Sequence, residues 1–163
     1  MTEPHQETRN LISATKARGL PPGYSLTEGT PPIPEYLALR RKTGLSPKTE
    51  EQARTALPGS WYAVHINHSP TSTIVGMGRI IGDGGWYFHL NDMAVLPEHQ
   101  RKGLGDAIMA ALMERILDGS PPSPYVNLIA DEAGRGLYAK WGFTETGSRS
   151  VGMERRFDGP RSL

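Results

Sequence analysis

Two periods of apolar and polar positions divide this chain. Between Ser60 and Leu96 the apolar residues come in short runs rich in β-branched and aromatic side chains, "SWYAVHINH", "STIVGMGRIIGD" and "WYFHLNDMAVL". Such runs predict strands, and the breaks "HSPT" and "DGG" between them predict hairpin turns, giving an antiparallel three-strand meander. From residue 104 the period changes to three and four. Leu104, Ala107, Ile108, Ala111, Leu112 and Ile116 share one face of a helix that ends at Asp118-Gly119. Upstream, "PEYLALRRKTG" places Tyr36, Leu37 and Arg40 at helical spacing, with Pro34 in the first turn and Gly44 at the end. "SPKTEEQARTALPG" repeats that logic, with Ser46 or Thr49 as cap and Pro58-Gly59 as stop. Downstream, "YVNLIA" reads as a buried strand, "DEAGRGLYAKWG" as a short helix from Asp131 to Gly142, and "FTETGSRSVGMERRF" as one or two final strands.

Residues 1 to 35 are polar and proline-rich, with no apolar period beyond "YSLT". Residues 1–22 are therefore expected to form a flexible extension, followed by an edge strand near Tyr24 to Thr27 and one domain over residues 23–163. The order β-α-α-β-β-β-α-β-α-β describes an α/β (α+β) fold, a central sheet with helices on both faces.

Composition narrows the chemistry. The 163 residues carry 18 basic and 17 acidic side chains, a net charge of +1, which gives no broad footprint for nucleic acid or an anionic membrane. With no cysteine, thiolate zinc sites, disulfides and cysteine nucleophiles are excluded. No apolar run reaches a membrane span, and "MTEPHQETRN" lacks the order of a secretion signal, so a cytoplasmic location is expected.

Candidate chemistry concentrates in "QRKGLG", residues 100–105, where the chain enters the periodic helix through two glycines. A helix start offers unpaired amides and partial positive charge. Phosphate binds there if the backbone can be approached, and Gly103 and Gly105 remove side chains while Arg101 and Lys102 add charge. The plainer alternative is a glycine cap beside solvated bases. A nucleoside-triphosphate loop requires Gly-Lys-Ser/Thr, but Gly105 is followed by "DAIM". A dinucleotide fingerprint requires a third glycine where Ile108 stands, and a tighter turn than "PEHQRK" allows.

The whole block "MAVLPEHQRKGLGDAIM" resembles the acetyl-coenzyme A motif of the GNAT N-acetyltransferase superfamily, Gln/Arg-x-x-Gly-x-Gly/Ala after a Val-x-Pro strand end. "GLYAKWGF", residues 136–143, is similar to the same family's "xxYxxxGF" helix. The resemblance implies a GNAT-like, mostly antiparallel mixed sheet and acetyl transfer from acetyl-coenzyme A to an amine in a ternary complex. It implies that the backbone of Arg101, Lys102, Gly103, Leu104, Gly105 and Asp106 holds the pyrophosphate. Asp106 would contribute its amide, with its carboxylate turned away or offset by Arg101 and Lys102. Backbone groups of Met93, Ala94 and Val95 would pair with the pantetheine arm. Tyr138 matches the tyrosine that protonates the departing thiolate; a core tyrosine beside Trp141 and Phe143 is the competing reading. Asp131 stands where many relatives have a cofactor-contacting asparagine, or serves only as an N-cap.

A charged amine must lose a proton before it attacks. His89 falls where histone-type relatives carry a catalytic glutamate, and an imidazole suits that task. Asp92 competes, although strand alternation sets it on the opposite face from His89. Alternation likewise separates His65 from His68, His99 is read as exposed, and no metal is expected. The family's acceptor groove would lie between residues 34–57 and 143–157. Arg40, Arg41 and Lys42 on one wall and Arg149, Arg155 and Arg156, with Glu145 and Glu154, on the other would suit an acceptor with a carboxylate or phosphate, unless these bases are merely solvated. Trp61, Trp86 and Tyr87 read as core or as the lining of an aromatic pocket. The expected acceptor is a small-molecule amine, with a protein or peptide amine, or a coenzyme A-binding sensor without turnover, as alternatives. A homodimer is left open.

Overall fold

In the computed structural model the described residues are 4–147 and 150–155. They form a five-stranded sheet in the order β1-β2-β3-β4-β5, from Tyr24–Glu28, Tyr62–His68, Thr73–Gly82, Tyr87–Val95 and Tyr125–Asn127. Neighbours are antiparallel except β4 and β5, which run parallel. The helices are α1 (Pro4–Arg18), α2 (Ile33–Lys42), α3 (Glu50–Ala56), α4 (Leu104–Gly119) and α5 (Arg135–Lys140). Of the two cap candidates for α3, Thr49 takes the role: its hydroxyl accepts from the Gln52 amide (3.1 Å) while Gln52 accepts from the Thr49 amide (2.9 Å).

The two sheet faces have different partners. On β3, a Cβ added at Gly78 would lie 2.6 Å from Ile108 Cγ2 of α4, so the even positions face α4. Ile80 and its cross-strand partner Leu90 share that face, as do Val64 and Ile66, which pair with Gly78 and Gly76. They pack with Ile108, Leu112 and Ile116, all fully buried, and each such burial contributes roughly 1.5–3 kcal/mol. The odd residue Arg79 points the other way, toward α2.

Three expectations are corrected. Residues 4–18 of the expected flexible extension are a helix, with Ile12 and Thr15 buried, packed on α4. Its attachment includes Arg9–Asp118 (3.1 Å) and Lys16–Glu114 (2.5 Å), ion pairs that no local apolar stripe announces. In the segment from Phe143, residues 143–147 and 150–155 contain no strand; the rest of the expected strands lies outside the described residues. The run "TETGS" and Gly152 offer no alternating apolar face to bury. β5 is likewise shorter than "YVNLIA", ending at Asn127.

Candidate active site

The entry to α4 is built by backbone curvature. Arg101 (φ 61°) and Gly103 (φ 81°) both adopt left-handed conformations, a pattern that turns amides to one side of a loop. A Cβ on Gly103 would meet no atom within 4 Å, so the space beside this helix start is open. Gly105 has another reason to be small: its Cβ would lie 3.2 Å from Leu137 Cδ2 of α5. One glycine thus serves the turn and the other admits a neighbouring helix. Lys102 donates to Glu98 O (2.9 Å) and to Tyr24 OH (3.3 Å), which also meets His99 Nδ1 at 2.8 Å. His99, expected exposed, is half-buried and meets His68 edge-to-face at 4.8 Å. Burial first, then the charges of His68 and Lys102, press its pKa below the ordinary histidine value.

Asp106 ties α5 to this entry. Its carboxylate accepts from Lys140 Nζ (2.8 and 2.7 Å) and from Trp141 Nε1 (3.0 Å), with Arg18 at 3.9 Å. Burial opposes its charge, and those bonds and charges outweigh burial and hold its pKa below the usual carboxylate value. The offset therefore comes from Lys140, Trp141 and Arg18, in place of Arg101 and Lys102.

β4 carries the next group of residues. Among the described residues it pairs with β5 only at Tyr87, Phe88 and His89, and from Leu90 onward, past Met93, Ala94 and Val95, that edge has no strand partner. Gln100 Nε2 already donates to Val95 O (2.9 Å) and closes part of it. His89 sits where the strands part, its Nδ1 2.6 Å from Asn127 Oδ1. With the amide placed this way its oxygen accepts, so in the neutral imidazole Nδ1 carries the proton and Nε2 the lone pair, while Asn127 Nδ2 is buried without a partner among the described residues. Asn127 has no motif signal and was missed; its register opposite His89 is a tertiary fact.

Asp92 does not alternate away from His89. Between the pairs Met77↔Ala94 and Arg79↔Asn91, β4 holds one residue more than β3, a bulge where Asp92 has φ 55°. The extra residue shifts the phase and brings Asp92 to the α2 face. There Arg40 Nη1 donates to its Oδ1, while Arg79 Nε (2.5 Å) and Tyr36 OH (2.7 Å) donate to Oδ2. Burial raises the Asp92 pKa, but the Arg79 and Tyr36 bonds and both arginine charges win and hold it below the usual value. A carboxylate clamped between two guanidiniums is a poor proton acceptor, which removes Asp92 from the competition with His89.

On this face a cavity of about 1150 Å³ lies between α2, α3 and the sheet, lined among others by Tyr36, Arg40, Lys48, Arg79 and Asn91. Of "RRK", only Arg40 turns inward; Arg41 and Lys42 are exposed. Among the described residues the late segment contributes nothing to this lining. Trp61 packs on Phe88 (4.7 Å) and Trp86 is exposed, so neither forms an aromatic pocket here.

Tyr138 is half-buried on α5, with its ring against Phe143 at 6.2 Å and in space that Gly134 leaves, where a Cβ would stand 2.8 Å from the ring. Burial and then the charge of Asp131 raise the phenol pKa. Asp131 itself is exposed and makes no side-chain cap bond, so it acts on Tyr138 through charge.

A parallel strand parting from its neighbour beside an open helix start, with a cavity at the same point, is the framework of an acetyltransferase. The chain belongs to the GNAT family: the model of the acetyltransferase (GNAT) domain matches residues 48–157. Among solved structures it is similar to a protein of unknown function from meticillin-resistant Staphylococcus aureus, described as a probable acetyltransferase. The two are 40% identical over 82% of this chain and 99% of the other, with a TM-score of 0.77. A GNAT-family protein from Xanthomonas campestris pv. campestris is 25% identical over 85% and 96% of the two chains, TM-score 0.66. One from Streptococcus pneumoniae, 24% identical over 82% and 98% with TM-score 0.65, shows the shared fold alone. No curated protein matches the chain. Among the described residues no helix is long and apolar enough to cross a membrane, and no three His, Cys, Asp or Glu side chains converge as metal ligands.

Proposed function

We propose that this acetyltransferase moves the acetyl group of acetyl-coenzyme A to a primary amine of a small molecule, by direct attack in a ternary complex. The observation that carries the reading is the junction on β4. The cavity reaches Asn91 and Asp92, and the strand edge opens just after His89. An acceptor and a thioester can thus approach one point from different sides. The amides of Arg101 to Asp106 would hold the pyrophosphate and the free edge of Met93 to Val95 the pantetheine arm; the coenzyme supplies the thioester. His89 Nε2 takes one proton from the charged amine, the freed nitrogen then bonds to the acetyl carbon, and its second proton leaves to solvent. Tyr138 OH gives its proton to the sulfur as the C–S bond breaks.

The test is release of free thiol from acetyl-coenzyme A against a panel of primary amines. Acceptor-dependent release supports the reading. Release driven only by protein lysines, or binding of the coenzyme with no amine driving release, would overturn it. In the same assay His89→Gln should lower kcat by about 10²–10⁴-fold. Asn127→Leu, which frees the other tautomer, should cost about three- to tenfold, the worth of one hydrogen bond. An unchanged Asn127→Leu beside an inactive His89→Gln would reject the tautomer argument alone.

Gly103→Ala gives a separate readout. A left-handed alanine costs about 1–2 kcal/mol, so the loop relaxes and its amides disperse. Coenzyme A titrated by calorimetry should bind about fivefold or more weakly, while acceptor KM stays put. Equal coenzyme affinity in the variant would mean that this helix entry is not where the phosphates sit.

A further inference from the structure

The buried charges do not balance. Among the described residues the buried charged side chains are Arg40 (5% exposed), Arg79 (8%) and Asp92 (6%), two positive charges and one negative. The single carboxylate of Asp92 is shared by both guanidiniums. Their other acceptors are neutral: Arg40 donates to Ser46 O (2.8 Å) and Ser46 Oγ (3.1 Å), and Arg79 Nη1 to Ser60 Oγ (3.3 Å). Neutral oxygens satisfy hydrogen bonds without cancelling charge. The other charged residues on the cavity wall are Lys48 and Glu51, both exposed and opposite in sign, and Tyr36 is a neutral phenol, so among the described residues one positive charge stays uncompensated.

An unpaired buried ion is strongly disfavoured unless something completes it. Here the surplus lines a cavity of about 1150 Å³, ample for a small molecule. Arg79 has a donor to spare, since Nη2 makes no hydrogen bond among the described residues. It also stands beside the reaction point, because Arg79 pairs with Asn91, two residues along the same face from His89. Two strand residues span roughly 7 Å, a distance that one small molecule bridges.

We infer that the acceptor is an amine that also carries an anionic group, a carboxylate or a phosphate, seated against Arg79 with Lys48 at the rim. The anion completes the charge of the two-arginine cluster, and its placement orients the amine toward His89. The word acceptor rests on the proposed acetyl transfer; the anion site does not.

The experiment compares matched acceptors in the thiol-release assay: amino acids against their amides, and aminoalkyl phosphates against the corresponding amino alcohols. The anionic member of at least one pair should be favoured about tenfold or more in kcat/KM, and the favoured pair tells carboxylate from phosphate. Lys48→Ala, at an exposed position, and Arg79→Lys should raise KM for the anionic member by a larger factor than for the neutral one, narrowing the preference within the pair. Equal turnover within both pairs, or a preference that neither variant alters, would overturn the inference. In parallel, inorganic phosphate and acetate are titrated in a thermal-shift assay with saturating coenzyme A present, which occupies the α4 entry. Stabilisation that Lys48→Ala weakens supports the anion site even if no amine is acetylated, the result in which the transfer reading alone fails. With no turnover and no anion-dependent shift in the wild type, the anion site is rejected.

Discussion

Tyr138→Phe is expected to lower kcat by about 10²–10⁴-fold while leaving coenzyme A affinity and thermal stability almost unchanged. The substitution removes one oxygen and keeps the ring, which packs on Phe143 and over Gly134. A tyrosine that only fills space would tolerate the loss. A proton donor to sulfur would not. Burial and then the Asp131 charge raise the phenol pKa, so Tyr138 remains protonated through neutral pH and well into the alkaline range. Asp131→Asn removes the second of these causes and should shift the alkaline limb of the kcat profile to lower pH, with burial still holding part of the elevation. An unchanged kcat in Tyr138→Phe, measured beside an unchanged melting temperature, would return this residue to the core.

Asp92→Asn should be the most damaging single change to stability, at about 3–5 kcal/mol, because it leaves two buried guanidiniums with no counter-charge. Denaturant unfolding at neutral pH reads it as a lowered midpoint. The pH dependence has a definite sign. Asp92 is held below the usual carboxylate pKa in the folded protein, so its stabilisation is fully present above the unfolded value, about 3.9, and is lost as pH falls through the depressed folded value. The gap between wild type and variant should therefore be constant near neutrality and close in acid. An unchanged midpoint at pH 7 would show that the Arg40–Asp92–Arg79 cluster contributes nothing net, and would also weaken the charge argument for an anionic acceptor.

How much of this was legible without coordinates differs from residue to residue. The α4 face and the meander strands were readable because apolar period is a local property, and the paired motifs around Gly103 and Tyr138 were readable because their spacing is. Arg40 was not separable from Arg41 and Lys42, since three adjacent bases look alike until a helix turns one of them inward. Helix α1 has few apolar residues, and its partners Glu114 and Asp118 lie about a hundred positions along the chain.

The sequence by itself determined the family, the order of most elements and the loop at Gly103, all of which depend on neighbours a few residues apart. Only the tertiary structure decided which carboxylate is clamped and which histidine nitrogen faces Asn127. A single bulge at Asp92 reverses the face that alternation predicts, and Asn127 meets His89 only because β5 lies parallel to β4. Buried polar groups must find partners wherever the chain brings them, so their roles are set by contacts between distant residues, and no local pattern encodes those.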